Sequence, residues 1–231
     1  MGRFNFEERA MRKYFMSPLF TPVFVMISWL LFMNIVLLFF PEAKFTITED
    51  GNLVEQLTHT GYVLMLLGLL VCYRDFWQQK LSYAIFIMLG VCAFLREAGI
   101  QHHLSTTDTT PFKSRFFLNP QNPLSEKIVF GLVLLLVFGA VIYLAIKYTK
   151  YLIVSFFKMN TVTWSVATMC TILVVSKFFD RFPSNYRHSH EHPLSRQMIN
   201  SFSLLEESIE IFLPYIVIIA LWQYHQQIKN R

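Results

Sequence analysis

Six apolar runs follow one another along this chain, each close to the about 20 residues that a helix needs to cross a ~30 Å hydrocarbon core. They are Pro18 to Phe40, Leu53 to Tyr73, Leu81 to about Ile100, Ile128 to Tyr148, Thr161 to Phe179, and about Ser203 to Gln223. Such runs leave little choice of fold, because in lipid every backbone N–H and C=O must be satisfied internally, and a helix does this within one segment. Composition agrees: 54% of the 231 residues are hydrophobic and only 15% are charged, far from the average of soluble domains. The expected fold is all-α integral membrane, one six-transmembrane-helix bundle over residues 1–231, with no internal repeat and no second domain visible.

The first run is expected to be a retained helix rather than a secretory leader. It is longer than a leader's apolar core, and Pro41-Glu42-Ala43-Lys44 offers no small-residue cleavage site. Cys72, Cys92 and Cys170 all fall inside apolar runs without the spacing of a zinc knuckle or a disulfide framework, and read as small buried hydrophobes. With six spans, one face carries Arg3, Arg9, Arg12, Lys13, Arg74, Lys80, Lys147, Lys150, Lys158, Lys229 and Arg231 against Glu7, Glu8 and Asp75. The positive-inside rule makes that face cytoplasmic, with both the N-terminus and the C-terminus on it. The cytoplasmic connections are then short, Arg74 to Lys80 and Thr149 to Asn160. The outer ones are longer and rich in His, Pro, Ser and Thr: Pro41 to Asn52, about Gln101 to Lys127, and Asp180 to about Asn200.

Carboxylates interrupt the apolar pattern on three of these segments: Glu55, Glu97, and the cluster Glu206, Glu207 and Glu210. An ionised carboxylate in hydrocarbon costs at least a few kcal/mol, so these residues are expected to face a protected polar interior. Their depth follows from the helical rise. Ile211 to Trp222 is too short to span, so the last helix must begin upstream and carry its acids into the membrane. Counted from the cytoplasmic ends, Glu210 lies about 20 Å up its helix, Glu97 about 24 Å, Glu206 about 26 Å and Glu55 about 27 Å. All fall in one layer in the outer part of the bilayer. Pro214, just below Glu210, removes one helical hydrogen bond and is expected to kink that helix.

The neighbours of these acids suggest chemistry. Glu55 and His59 are four residues apart and share a helix face, as do Glu206 and Glu210. A carboxylate and an imidazole one turn apart can hold a divalent metal or act as an acid and base pair. The candidate catalytic residues are therefore Glu55, Glu97, Glu206, Glu210 and Arg96, the last as an orienting or anion-binding cation. The candidate metal ligands are Glu55, His59, Glu210, His102 and His103, the last two being within reach if the third helix continues past Glu97. The structural alternative is an ion-pair network in which Arg96, Lys177 and Arg181 neutralise the acids. His188, His190 and His192 alternate in a loop and read as solvated. No His-Glu-x-x-His, phosphate-binding loop, dinucleotide fingerprint or Gly-x-Ser-x-Gly elbow is present, and nothing suggests nucleic acid as a partner.

Glu49-Asp50-Gly51-Asn52-Leu53-Val54-Glu55, Phe94-Leu95-Arg96-Glu97 and Leu204-Leu205-Glu206-Glu207-Ser208-Ile209-Glu210 together resemble a recurring layout in small uncharacterised bacterial inner-membrane proteins. The resemblance implies a multi-pass protein of the bacterial inner membrane, and no activity. In concept the chain is also similar to membrane hydrolases of the alkaline ceramidase type, which hold zinc among helices with His and Asp. It lacks the paired intramembrane His of that family's last helix.

Two function classes remain open. In one, the acidic and His layer holds a divalent metal that activates water to cleave a lipid-like or other amphiphilic substrate entering from the outer leaflet. In the other, the layer binds and releases protons or cations in a transporter. The inner halves of helices two, three and six are nearly all apolar, with little beyond Ser82 and Tyr83, and a one-sided cup fits an enzyme or a binding site better than a through-path. A role in assembly or partner binding is the third possibility, and the metal, the substrate and the oligomeric state stay open.

Overall fold

The computed structural model describes residues 14–39, 53–100, 111, 114–189 and 194–229. Among them the chain is all-helical with no strand. Its elements are α1 (Phe20–Phe39), α2 (Leu53–Val71), a 3-10 helix (Cys72–Gln79), α3 (Lys80–Glu97), α4 (Ser114–Leu118), α5 (Leu124–Phe157), α6 (Thr161–Ser189), α7 (Arg196–Glu210) and α8 (Phe212–Lys229). Each of the six expected spans has its helix, the last one as the pair α7 and α8. Three stretches, Val54–Glu97, Leu124–Phe157 and Thr161–Arg187, are long and apolar enough to cross a membrane, and Phe20–Val36 is a shorter apolar helix. The first of them contains two expected spans, with the 3-10 helix at the connection expected from Arg74 to Lys80.

Element ends depart from the apolar runs wherever polar residues keep helical conformation. α5 runs on to Phe157, because the Lys and Tyr residues after Ile146 are adequate helix formers. What stops it is local: Met159 takes a left-handed φ of 56°, and the Asn160 side chain accepts from the backbone N–H of Thr163 at 3.2 Å to cap α6. The connection expected from Thr149 to Asn160 is thus only about three residues. α6 continues past Phe179 to Ser189 with Pro183 inside it, so Asp180 to Ser189 is helix and not loop. The last helix starts at Arg196, where the Ser195 hydroxyl accepts from Met198 N–H at 3.3 Å. The helix breaks at Ile211, one turn before Pro214, whose missing N–H cannot reach the Glu210 carbonyl. α3 ends at Glu97, with Gly99 at φ 64° after it. Helix three therefore does not carry on toward His102 and His103, which lie outside the described residues.

The chain divides into two compact units. The first comprises the described parts of Met1–Cys72 and Ser155–Arg231, and holds α1, α2, α6, α7 and α8. Its helix directions follow from paired contacts. A methyl group on Gly61 would meet Pro214 Cγ at 2.7 Å and Tyr215 Cε2 at 2.9 Å, and one on Gly68 would meet Leu221 Cδ1 at 3.7 Å, so α2 and α8 run parallel. α6 packs antiparallel to α7 and α8, with Ser165 against Gln223, Ser176 against Glu210, and Phe182 stacked on Phe202 at 4.5 Å. α1 runs with α6, since Thr21 meets Ser165 at 2.6 Å and Val25 packs with Ile172. These senses are those of an up-and-down pass through one layer.

The interior of this unit holds polar residues while much of its outside is apolar. Thr21, Ser165, Ser176, Ser208 and Gln223 have no exposure, whereas Leu31, Leu38, Leu70 and Val71 are exposed. Gln223 Nε2 donates to Thr21 Oγ1 at 3.3 Å and to the Phe15 carbonyl at 3.2 Å, and Ser165 Oγ donates to Gln223 Oε1 at 2.6 Å. With the Ser165 proton so used, Thr21 donates to Ser165, and the three side chains close a ring across α1, α6 and α8. Above the ring lies an apolar layer of Val25, Ile172 and Ile216, flanked by Met169, Phe212 and Leu213.

The second unit, Tyr73–Val154, is held by aromatic packing. Tyr73, Phe76, Tyr83 and Phe86 form ring contacts of 5.3 to 6.0 Å, which bring the 3-10 helix against the start of α3. Within the outer connection expected from Gln101 to Lys127, α4 buries Phe116 against Phe117 and Phe130, and Asn122 Nδ2 donates to the Phe116 carbonyl at 2.7 Å. α5 displays apolar side chains all round, Leu132, Leu135, Phe138 and Ile146 among them.

Two substitutions test this packing. Gly61→Ala places a methyl into the rigid Pro214 ring and should lower stability by about 1–3 kcal/mol, while Gly139→Ala, with nothing within 4 Å of the added carbon, should leave it unchanged or raise it by about 0.5–1 kcal/mol. Gln223→Leu strands the partners of the ring and should cost about 1–3 kcal/mol. Thermal unfolding in detergent measures all three, and an unaffected Gln223→Leu would show that the ring does not hold the helices together.

Candidate functional site

The parallel register of α2 on α8 sets the levels of the acids in the first unit. Gly61 faces Pro214 and Gly68 faces Leu221, a constant offset that places Glu55 opposite the turn around Glu207 and Ser208. Tyr215 strengthens the alignment by donating its hydroxyl to the Leu57 carbonyl at 3.0 Å. Glu55, Glu206 and Glu210 therefore occupy about two helical turns of one level, as counting the rise suggests.

The individual partners are specific. His59 Nε2 lies 3.7 Å from Glu55 Oε1 one turn along α2, with both side chains about a third exposed. Glu210 accepts from the hydroxyl of the fully buried Ser176 on α6. One residue further, Lys177 Nζ sits 3.8 Å from Glu206 Oε1 and 3.0 Å from Asp180 Oδ2. Arg181 Nε is 3.9 Å from Asp180. The neighbouring Ser208 accepts from Trp29 Nε1–H at 3.0 Å and donates to the Leu205 carbonyl at 3.0 Å, which ties α1 to the same level.

Part of the ion-pair network considered from the sequence is thus present: Lys177 reaches Glu206, whereas Arg181 pairs with Asp180, which is not one of those acids. Glu97 belongs to the second unit, where Arg96 Nη2 stands 3.9 Å from its Oε2. Among the described residues no three His, Cys, Asp or Glu side chains are grouped to hold a metal ion. Of the candidate ligands, Glu55 and His59 form a pair, Glu210 is engaged by Ser176, and His102, His103, His190 and His192 lie outside the described residues, as does the side chain of His188.

Ser176, Ser208 and Trp29 are site residues that sequence reasoning passes over. A signal exists in α6: Thr161, Ser165, Thr168 and Ser176 lie on one face, interrupted by Ile172, at three- and four-residue steps. A cleft of about 390 Å³ opens between α1 and α6, lined by Val25, Met26, Trp29, Trp164, Ile172 and Ile209 among others. It is apolar, and none of the carboxylates lines it.

Comparison with protein-family models, curated proteins and solved structures finds no match.

Ser176→Ala removes a charge-assisted hydrogen bond from Glu210 and should lower stability by about 1.5–3 kcal/mol. Lys177→Gln, at a side chain that is half exposed, should change it by less than about 1 kcal/mol. A double-mutant cycle of Ser176→Ala with Glu210→Gln should return a coupling near or above about 1 kcal/mol. Strict additivity would mean that the two side chains do not interact.

Proposed function

We propose that this chain is a multi-pass protein of the bacterial inner membrane, with six spans and both termini cytoplasmic, and that its first unit carries a one-sided acid and imidazole site open to the outer face. The observation that carries this reading is the pairing of level and closure. Glu55, His59, Glu206 and Glu210 share one level, and the Val25, Ile172 and Ile216 layer lies between that level and the ring at Gln223. Buried hydroxyls and an amide inside a unit with an apolar outer surface are what helix association in lipid calls for, and the basic residues beside the cytoplasmic helix ends support the orientation.

The site binds a proton or a cation from the outer side. In the hydrolytic version a divalent metal would sit against Glu55 and His59, with a second carboxylate as general base for water attacking an amphiphilic substrate. A transporter that passes ions right through is disfavoured, because the apolar layer offers no polar group to relay them. The Ser176 to Glu210 and Lys177 to Glu206 contacts support a second reading, in which the carboxylates lock helices together in a non-catalytic assembly protein.

Right-side-out vesicles treated with a membrane-impermeant carbodiimide and an amine should incorporate the amine at Glu55, and inside-out vesicles should not; mass spectrometry of the peptides reads the result. A maleimide should react with Ser189→Cys from outside and with Asn230→Cys only after permeabilisation. Modification of Glu55 from the cytoplasmic side alone would overturn the orientation and the one-sided site together. Protection of Glu55 from both sides, with Glu55→Gln clearly less stable than the parent, would favour the assembly reading.

A further inference from the structure

The second unit holds two lysines, Lys80 and Lys147, each set against aromatic rings. Lys147, near the end of the apolar part of α5, donates to the hydroxyl of Ser82 at 2.7 Å and to Tyr143 at 3.4 Å. Its ammonium also stands 5.5 Å and 5.3 Å from the ring centroids of Tyr143 and Tyr148. Ser82 is fully buried, so the anchor that fixes Lys147 belongs to the packed interior of α3. Tyr148 donates its hydroxyl to Gln79, and the next residue, Lys80, places its ammonium 4.5 Å over the ring of the exposed Trp77.

This arrangement orients two positive charges without neutralising them. Among the described residues neither Lys80 nor Lys147 forms an ion pair with a carboxylate. Ser82 and Tyr143 take two of the three N–H groups of Lys147, which leaves one donor. Aromatic faces stabilise an ammonium by their quadrupole and add no negative charge. Trp and Tyr interleaved with Lys at the end of an apolar helix are suited to the headgroup depth of a bilayer. The missing counter-charge is then supplied by the surroundings, and at that depth the abundant anion is a lipid phosphate. A zwitterionic headgroup cancels its own phosphate with its amine, whereas an anionic headgroup presents net charge to the ammonium pair.

We propose that Lys80 and Lys147, positioned by Trp77, Ser82, Tyr143 and Tyr148, form a binding site for the headgroup of one anionic phospholipid. The proposal rests on the reading that α5 crosses a membrane, which is tested separately by whether alkaline carbonate fails, and detergent succeeds, in extracting the chain.

Delipidated protein in detergent is mixed with phosphatidylglycerol or phosphatidylcholine, and adducts are counted by native mass spectrometry. The parent should retain phosphatidylglycerol at one per chain with at least about tenfold preference over phosphatidylcholine. Lys147→Gln and Lys80→Gln should each abolish that preference, Lys147→Arg should keep it, and Lys158→Gln, a cation of the other unit, should leave it intact. Lys80→Gln keeps the test valid if Lys147→Gln fails to fold, since among the described residues the Lys80 ammonium rests on an exposed ring. Equal retention of the two lipids by the parent, or undiminished preference in Lys80→Gln, would overturn the site. Displacement of phosphatidylglycerol by millimolar inorganic phosphate, with the same dependence on Lys80 and Lys147, would overturn the lipid as its ligand.

Discussion

The closure of hydrogen bonds around Gln223 is the constraint on which the first unit depends. In a helical unit whose outside is apolar, an interior amide has no water to fall back on, and each of its polar atoms must find a partner on a neighbouring helix. Gln223 does so with Thr21, Ser165 and the Phe15 carbonyl. Because each side chain in the ring both donates and accepts, turning any one of them breaks two bonds at once. The ring therefore fixes how far α1, α6 and α8 are rotated about their axes and how high each stands. Three turns along α6 from Ser165, Ser176 then has to meet Glu210. Two turns back along α8 from Gln223, Ile216 has to meet Val25 and Ile172. The carboxylate level and the apolar layer beneath it inherit their register from this distant amide.

Helix existence was legible in the sequence because hydrophobicity accumulates over a whole segment, and no single residue decides it. Helix ends were less so. Nothing in the apolar pattern distinguishes Tyr148, where apolarity fades, from Asn160, where backbone capping ends α5 and starts α6. Asp180 to about Asn200 similarly read as a loop, yet α6 continues through Pro183 to Ser189. In both places a surface extension of the helix satisfies its backbone just as the apolar part does, and hydropathy does not register the difference.

For the site, the helical rise served as a ruler: it set Glu55 level with Glu206 and Glu210, and the contacts of Gly61 and Gly68 place them so. The partners could not be measured that way. Ser176 is 34 residues from Glu210, and Trp29 is 179 residues from Ser208, so their meeting depends on packing that one segment does not encode. A serine in an apolar helix also has an ordinary local use, bonding to the carbonyl one turn back, as Thr168 and Thr171 do in the same helix. The face of α6 that carries Thr161, Ser165 and Ser176 carries Thr168 as well, so membership of that stripe narrows the candidates without separating the interhelical residues from the local ones.

The proposed binding site draws on like charges gathered at one level. Glu55, Glu206, Glu207 and Glu210 stand within about two turns of one another in the first unit; Lys177 pairs with both Glu206 and Asp180, and Arg181 pairs with Asp180. Hydroxyls such as Ser176 stabilise a carboxylate but bring no positive charge. In a medium that solvates ions poorly, each further negative charge at one level is harder to hold than the last. A proton or cation bound at that level, as proposed, has the apolar layer of Val25, Ile172 and Ile216 between it and the Gln223 ring, so on the proposed orientation it arrives and departs through the outer face alone.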